Sequence, residues 1–351
     1  MILKPYSLAD LGWSSFFISQ LSIDELDATR PVRVTEVFRD AVLTLGPDGP
    51  ARAAMNEALG NAGVTVGDWV LMETATDQGA RVLERKSLMQ RRAAGNDAVA
   101  QTIAANVDTL FITTSCNADF NIARLERYLV LASQAEVDPV ILLTKADLCD
   151  DPYVYLDQLR ADLPNVLAET LNATDPDAVA KLAPWTSKGQ SVALVGSSGV
   201  GKSTIVNQLT GAGQDTQGIR EDDARGRHTT TGRSIHPTIS GGWIIDTPGM
   251  RELQMLDAAE GVEAVFEDIV ELAQRCRFKD CAHDTEPGCA VQIAISAGEL
   301  DDKRFFRWQK LMREDLINSE TKAERHTRTR KREKLYAGGR ARLAEKQRGL
   351  K

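Results

Sequence analysis

Long apolar runs are missing from this chain of 351 residues, and none approaches the roughly 18 residues that a membrane-spanning helix needs. Residues 1–4 begin neither a signal peptide nor a lipid anchor, so we expect a cytoplasmic protein with no membrane partner. Cysteine is scarce, at five residues, which argues against a disulfide framework. A hydrophobic content of 42% and a charged content of 26% are typical of a soluble globular protein.

The net charge of −8 hides a basic C-terminal tail. Residues 322–351 contain 12 Lys or Arg and 3 Asp or Glu, a net charge of +9, so residues 1–321 carry −17. An acidic body argues against nonspecific coating of nucleic acid, whereas a basic tail favours local contact with phosphate. The alternative is a solvated helical tail that only aids solubility, and charge alone leaves both interpretations open.

Two kinds of strand pattern follow one another along the chain. Between residues 32 and 89, short alternating runs separated by glycine-containing turns predict a small antiparallel barrel. Further on, continuous apolar runs with helical segments between several of them predict doubly buried parallel strands and hence an α/β sheet. These runs are residues 109–113, 140–143, 192–195 and 243–245.

The pattern after residue 256 is helical. The sequence therefore predicts a multidomain α/β protein with three parts. They are an N-terminal lead and barrel in residues 1–100, a central domain in 101–256, and a helical domain with the basic tail in 257–351.

The strongest motif is Gly196-x-x-x-x-Gly201-Lys202-Ser203, which lies between a buried strand and an apolar helical segment. This context indicates a phosphate-binding loop, in which glycines let successive backbone N–H groups surround a phosphate at a helix N-terminus. Lys202 would reach the β- and γ-phosphates and the Ser203 hydroxyl would bind Mg²⁺. The expected nucleotide-binding residues of the loop are Gly196, Ser197, Ser198, Gly199, Val200, Gly201, Lys202, Ser203 and Thr204.

A motif for guanine recognition, Thr144-Lys145-Ala146-Asp147, ends another buried strand. The Asp147 carboxylate can accept two hydrogen bonds from guanine, which adenine cannot supply, while the Lys145 stem covers the ring. The usual first residue is Asn, and the Thr144 hydroxyl can keep only one of the two bonds of an amide, so we expect a somewhat lower nucleotide affinity. Asn172 and Ala173 resemble the short loop whose backbone N–H recognises the guanine carbonyl.

Asp246-Thr247-Pro248-Gly249 closes the last apolar strand. Behind a phosphate-binding loop, an aspartate at a strand end fits the Mg²⁺ side of the nucleotide, and the Gly249 N–H fits the γ-phosphate. Alone, the same residues would indicate only a turn.

Three cysteines and a histidine form a second compact motif, Cys276-x4-Cys281-x-His283-x5-Cys289. Four protein ligands of this kind fit one tetrahedral Zn²⁺ with a closed coordination shell, which predicts a structural and not a catalytic ion. The alternative is a set of reduced free cysteines near a surface histidine. Cys116 and Cys149 lie outside the motif, and we interpret them as buried small apolar groups.

Taken together, the motifs resemble the RsgA/YjeQ family over roughly residues 32–300. The resemblance rests on the guanine motif preceding the phosphate motif, on Arg-Gly-Arg-His-Thr-Thr-Thr at residues 225–231, and on Cys-Arg-Phe-Lys-Asp-Cys-Ala-His at residues 276–283. Asn121-x-x-Arg124 with Leu125, Arg127 and Tyr128 also belongs to it.

The family consists of bacterial, circularly permuted GTPases that the small ribosomal subunit stimulates and that act late in its maturation. The resemblance implies an OB-fold barrel, a permuted GTPase domain and a C-terminal zinc domain, with GTP or GDP, the small subunit and its rRNA as partners. We expect a monomer.

The resemblance also assigns residues. The threonine that binds Mg²⁺ in the GTP state falls on Thr230, and the proposed catalytic histidine falls on His228, which would act with Lys202. Met250 follows the last nucleotide motif, and a thioether cannot orient the attacking water as glutamine does in Ras-like enzymes. Intrinsic hydrolysis is therefore expected to be slow, with a partner completing the site.

Two other functions stay open on the sequence. A P-loop ATPase or small-molecule kinase would let ATP displace bound GDP as well as GTP does. An RNA-binding scaffold, in which nucleotide only stabilises the fold, would bind the ribosome equally with GTP or GDP.

Overall fold

The structure is a computed structural model that describes residues 6–92, 100–212, 233–246 and 258–319. The chain divides into two compact units. Unit 1 comprises Met1–Gln90 and Thr102–Leu253, and unit 2 comprises Arg91–Gln101 and Gln254–Lys351. The domain boundaries expected at residues 100 and 256 stay a prediction.

The N-terminal part of unit 1 is an antiparallel arrangement of short strands, hydrogen bonded in the order β3-β2-β1-β4-β5. Valines of β1, β2 and β4 alternate into a core with Leu59, as the alternating runs predict. The elements are α1 (Ser15–Ile18), α2 (Ile23–Ala28), β1 (Thr29–Val37), β2 (Ala41–Gly46), β3 (Gly49–Ala54), α3 (Glu57–Asn61), β4 (Trp69–Glu73) and β5 (Gly79–Val82). A separate two-stranded sheet consists of β6 (Leu88–Arg92) and β7 (Ala100–Ala105).

The rest of unit 1 is an α/β sheet. Its elements are β8 (Thr109–Ser115), α4 (Ile122–Gln134), β9 (Asp138–Thr144), a 3₁₀ turn (Ala146–Leu148), α5 (Tyr153–Asp162), β10 (Leu167–Leu171), α6 (Pro176–Ala180), α7 (Ala183–Thr186), β11 (Ser191–Gly196), α8 (Lys202–Thr210), β12 (Ser234–Pro237) and β13 (Trp243–Asp246). Strands β10, β9, β8, β11 and β13 are parallel in that order, and β12 runs antiparallel at the side of β13. The four apolar runs are thus parallel strands, as predicted.

The two parts of unit 1 share one sheet of 11 strands, because β1 pairs with β12 at Glu36 and Ser234. The core of the α/β part lies between the sheet and its helices, where residues such as Phe111, Leu142 and Ile205 are fully buried. Strands buried on both faces leave little surface for polar side chains, which explains their nearly continuous apolar sequence.

A buried arginine joins three segments of unit 1. The Arg33 side chain on β1 is only 2% exposed. It donates hydrogen bonds to the Leu11 carbonyl (2.7 Å), the Asn106 carbonyl (3.2 Å) and the Ser191 hydroxyl (2.8 Å). Burial lowers the pKa of Arg33 to about 10, and the nearby Asp108 carboxyl opposes this fall, so the guanidinium stays charged at neutral pH.

Unit 2 is helical in the part that the structure describes after residue 257. Its helices are α9 (Ala259–Val265), α10 (Glu267–Gln274), α11 (Ala290–Ala297) and α12 (Asp302–Ser319). Arg304 on α12 binds both carboxylate oxygens of Asp268 at 2.8 Å and lies over the Phe266 ring at 4.7 Å. This contact joins α12 to the start of α10. Among the described helices of both units, none has the length and apolarity needed to cross a membrane.

We expect Arg33→Met to destabilise unit 1 by about 3 kcal/mol, because it leaves buried hydrogen-bond acceptors without a donor. The free energy of unfolding is measured by urea titration with tryptophan fluorescence. Arg52→Met is the matched control: Arg52 lies on β3 with a side chain that is 61% exposed and paired to Asp40, and its loss should change stability by less than about 0.5 kcal/mol. Equal unfolding curves for the two variants would contradict the role given to Arg33.

Candidate nucleotide-binding and metal-binding sites

The phosphate-binding loop follows β11, and its backbone geometry favours glycine at three positions. Gly196 lies beside Thr113 of β8, and a Cβ added at Gly196 would lie 2.1 Å from the Thr113 carbonyl oxygen. Gly199 and Gly201 have φ of 79° and 96°, a region that residues with a Cβ rarely adopt. The spacing of the motif therefore reflects backbone geometry as well as chemistry.

Lys202 is the first residue of α8 and its side chain folds back along the loop. The Nζ donates to the carbonyl oxygens of Gly196 (2.7 Å) and Ser197 (2.5 Å). Val200 is buried, whereas Ser198 and Ser203 are exposed and Thr204 is half-buried. The ammonium is thus bound to the loop backbone, while Ser198 and Ser203 are open to solvent.

Thr144, at the end of β9, joins the guanine motif to the phosphate-binding loop. Its side chain is fully buried, and its hydroxyl lies 2.6 Å from the Val200 carbonyl and 3.0 Å from the Thr114 carbonyl. A hydroxyl has one proton and donates to one of these acceptors at a time. The geometry agrees with the expectation that threonine keeps one anchoring bond.

The other guanine-motif residues lie at the same edge of the sheet. Lys145 has a φ of 57° and turns the chain into the 3₁₀ turn that carries the exposed Asp147. A Cβ at Gly201 would lie 3.8 Å from the Ala173 Cβ and 3.9 Å from the Thr144 Cβ. Asn172 accepts hydrogen bonds from the Thr174 N–H (3.0 Å) and hydroxyl (2.7 Å), which fixes the turn after β10.

Several predicted residues lie outside the part of the chain that the structure describes. They are His228, Thr230, Gly249 and Met250. Asp246 is the last residue of β13, which is hydrogen bonded to β11 on the same parallel edge as the loop. The roles of all these residues stay predictions.

The four metal-ligand candidates converge in unit 2, with ligand atoms within 4.8 Å of one another. The Cys276 Sγ lies 3.9 Å from the Cys289 Sγ, and His283 Nδ1 lies 3.5 Å from each of these sulfurs. A tetrahedral ion with metal–sulfur distances of about 2.3 Å has sulfur–sulfur edges of roughly 3.8 Å. The separations therefore fit one shared metal ion, with Cys281 as the fourth ligand.

The surroundings of the cluster hold its ligands in place. Cys289 is the N-cap of α11, and Gln292 of the same helix donates to the His283 carbonyl at 2.8 Å. Burial lowers the pKa of His283, and its neutral ring packs against Phe305 and Trp308 of α12. A neutral imidazole is the form that binds metal.

The two remaining cysteines are neighbours in space. Cys116 is 3% exposed, as expected for a small apolar group, but Cys149 is only half-buried. The Cys149 thiol donates to the Ala146 carbonyl at 3.5 Å. Burial is the main cause that raises the pKa of Cys116 to about 12, and the neighbouring Cys149 thiol adds to it. The interpretation of Cys149 as a fully buried residue is therefore wrong, because the short turn after Asp147 leaves it half-buried.

One charged cluster beside the phosphate-binding loop had no role in the sequence interpretation. Arg124 of α4 donates to the Asp119 carboxylate at 2.7 Å. It also donates to the Ser197 hydroxyl. Arg124 is part of the motif shared with the RsgA/YjeQ family, but nothing in its local sequence indicates that the side chain reaches a loop that follows more than 70 residues later, at Ser197. The contact of Arg124 with Ser197 becomes visible only when β8 and β11 are known to be adjacent.

Comparison with known proteins identifies the family. The family model described as RsgA GTPase matches residues 82–256. A protein of Vibrio parahaemolyticus named small ribosomal subunit biogenesis GTPase RsgA 2 is 49% identical over 93% of this chain and 91% of its own length. The chain belongs to the RsgA GTPase family. A Mesorhizobium japonicum protein named small ribosomal subunit biogenesis GTPase RsgA is 50% identical, over 89% of this chain and 91% of its own.

Solved structures show the same fold. YjeQ from Thermotoga maritima matches with a TM-score of 0.61 and 24% identity over 82% of this chain and 99% of its own. YloQ, described as a circularly permuted GTPase, matches with a TM-score of 0.58 and 23% identity over 83% of this chain and 96% of its own. The predicted α/β fold with permuted GTPase topology is confirmed.

A second family model, described as ABC transporter, matches residues 185–343. This stretch contains the phosphate-binding loop, and a Gly-x-x-x-x-Gly-Lys-Ser loop is shared by P-loop NTPases of many kinds. The RsgA relatives align with nearly the whole chain, so membership of the RsgA GTPase family rests on a far longer match.

We expect Cys289→Ser to remove most of a single bound metal ion per chain and to destabilise unit 2 by several kcal/mol, because ion binding and folding are coupled at closed sites. Elemental analysis of the purified protein gives the metal content, and thermal unfolding gives the stability. Cys149→Ser, which changes a cysteine outside the cluster, should keep the full metal content. Full metal content in Cys289→Ser would contradict the site.

Proposed function

We propose that this chain hydrolyses GTP to GDP and phosphate and acts in the cytoplasm in late maturation of the small ribosomal subunit. The observation that carries the proposal is the hydrogen bond from Thr144 to the Val200 carbonyl, which brings the guanine and phosphate motifs into contact despite their reversed order. The names of the relatives, small ribosomal subunit biogenesis GTPase, support the second half of the proposal.

Base recognition is proposed for the edge formed by β9 and β10. Asp147 accepts hydrogen bonds from guanine, Lys145 covers the ring, and the turn at Asn172 and Ala173 supplies a backbone N–H to the guanine carbonyl. The exposure of Asp147 supports this assignment, because a nucleotide can reach it from solvent.

Phosphate binding is proposed for the loop from Gly196 to Thr204. Its backbone N–H groups and Lys202 stabilise the negative charge that develops on the transferred phosphoryl group. The hydroxyls of Ser203 and Thr230 would hold Mg²⁺, which when bound neutralises charge on the β- and γ-phosphates. Asp246 and the Gly249 N–H complete this side of the nucleotide.

Water activation is the step that needs a partner. Met250 cannot orient the attacking water, so we assign that task to His228 on the loop at residues 225–231. Binding of the small subunit would order this loop and raise the rate, which connects hydrolysis to the state of the ribosomal particle.

Zinc is proposed as the ion at Cys276, Cys281, His283 and Cys289. Three thiolates and one imidazole are the donors that Zn²⁺ prefers in structural sites, and four protein ligands leave no position for substrate. The ion would keep unit 2 folded, so that unit 2 and the basic tail can contact rRNA. We propose that the chain is a monomer.

An OB-fold barrel is proposed for strands β1 to β5. Their order, β3-β2-β1-β4-β5, with α3 between β3 and β4, is compatible with a five-stranded, partly open barrel. A register shift in β1 between Val34 and Glu36 supports the strong bend that barrel closure requires. Barrels of this class commonly bind nucleic acid, which agrees with the proposed ribosomal partner.

The decisive experiment measures GTP hydrolysis with and without purified small subunits at two salt concentrations, because phosphate contacts weaken with salt. We expect stimulation that declines at the higher salt concentration. Lys202→Ala should abolish hydrolysis, and His228→Ala should spare GTP binding while removing the stimulated rate. The RNA-binding scaffold would be favoured if small subunits did not stimulate hydrolysis. It would also be favoured if the protein bound the ribosome equally well with GTP and with GDP.

Asp147→Asn tests base recognition independently of the ribosome. An amide N–H replaces one carboxylate acceptor, so guanine loses a charged hydrogen bond and affinity for GDP should fall by about 100-fold. Xanthosine diphosphate, which presents a carbonyl where guanine has an amino group, should bind the variant better than GDP does. Competition titration with GDP, XDP and ADP measures this. Wild-type protein that binds ADP as tightly as GDP would favour the ATPase alternative.

A further inference from the structure

Arg124 occupies a place in α4 that helix energetics disfavour. It lies in the first turn, where the N-cap Asn121 accepts a hydrogen bond from the Arg124 N–H at 3.0 Å. The helix dipole makes this end positive, which favours carboxylates and disfavours a cation. The first turn of α4, which the structure describes in full, has no acidic residue. The reason for an arginine here must lie outside the helix.

The turn before α4 orients the arginine side chain. Asn117 accepts hydrogen bonds from the Ser115 hydroxyl and the Asp119 N–H, each at 2.9 Å. Asp119 then binds Arg124 through its carboxylate at 2.7 Å and its carbonyl at 3.1 Å. The pair is partly shielded from water, with side-chain exposures of 34% and 29%, and the guanidinium makes two contacts with Asp119. The guanidinium therefore has little freedom to leave this position.

The remaining contact of the guanidinium is with the phosphate-binding loop. Arg124 donates to the hydroxyl of Ser197, while Lys202 donates to the carbonyl of the same residue. The Ser197 side chain is thus hydrogen bonded to Arg124, and its backbone carbonyl is hydrogen bonded to Lys202. Glycine-rich loops lose more conformational entropy than others when they become ordered, so a contact that orders the loop beforehand strengthens ligand binding.

We infer that Arg124 is a positioning residue for the nucleotide, which acts through the Ser197 hydroxyl to hold the phosphate-binding loop in its binding conformation. The inference rests on the proposed guanine-nucleotide function of this site. Arg124 acts on the loop and not on the reacting atoms, so it contributes equally to the binding of GDP, GTP and the transition state. Its loss then raises KM and leaves kcat unchanged.

The test is a double-mutant cycle of Arg124→Gln and Ser197→Ala, with binding of a fluorescent GDP analogue as the readout and no ribosome present. Each single change should weaken binding about tenfold, the size expected for one charge-assisted hydrogen bond. The double variant should bind no more weakly than either single variant, because both remove the same contact. Arg124→Lys, which keeps the charge but not the planar fork, should give an intermediate affinity.

Arg160→Gln is the matched control, since it removes a helix arginine from an exposed pair with Asp157 and should leave GDP affinity unchanged. Thermal unfolding without nucleotide shows whether the variants are folded. If Arg124→Gln does not fold, Ser197→Ala decides alone, because it keeps the pair of Arg124 with Asp119. Additive effects in the cycle, or wild-type affinity in Ser197→Ala, would overturn the inference. Wild-type protein that does not prefer guanine nucleotides would instead refute the proposed function.

Discussion

The parallel hydrogen bonding of β10, β9, β8, β11 and β13 is the constraint on which the candidate site depends. Parallel strands in one sheet place their carboxyl ends at one edge, and ligands of such sheets bind outside that edge. Adjacency in the sheet does not depend on the order of strands in the chain. The guanine motif can therefore precede the phosphate motif in sequence, and Thr144 still lies within hydrogen-bond distance of Val200.

The same sheet connects the N-terminal strands to the α/β part of unit 1. Strand β12 is antiparallel to β13 on one side and contacts β1 on the other. The buried guanidinium of Arg33 then connects β1 to the start of β11 through Ser191 and to the N-terminal lead through Leu11. A buried charge is costly unless it is hydrogen bonded, so the acceptors of the two terminal nitrogens fix the relative position of three distant segments. The strands that follow the lead are consequently attached to the nucleotide part by a polar contact as well as by packing.

Sequence patterns were sufficient to predict the strands whose two faces are both buried. Strands buried on both faces gave continuous apolar runs, and the glycines and metal ligands had fixed spacings because backbone and coordination geometry permit few alternatives. Prediction failed where burial is mixed: β3 (Gly49–Ala54) is mostly exposed, and β10 (Leu167–Leu171) is an edge strand with little apolar signal. Arg33 was missed for the opposite reason, because alternation in β1 suggests an exposed position that the rest of unit 1 covers.

The phosphate-binding loop combines high intrinsic flexibility with contacts at both of its ends. Three of its residues, at positions 196, 199 and 201, are glycines with φ values that other residues rarely adopt. Glycine loses more conformational freedom on ordering than any other residue. Thr144 holds the Val200 carbonyl and Arg124 holds the Ser197 hydroxyl, one on each side of the exposed residues Ser198 and Gly199. A threonine gives one hydrogen bond where the amide of the usual asparagine gives two, so Thr144 holds the Val200 carbonyl less strongly than an asparagine would. The charged contact at Ser197 compensates at the opposite end, because bonds to ionised donors are about twice as strong as neutral ones. The glycines give the loop its shape, and side chains from strand β9 and helix α4 hold that shape.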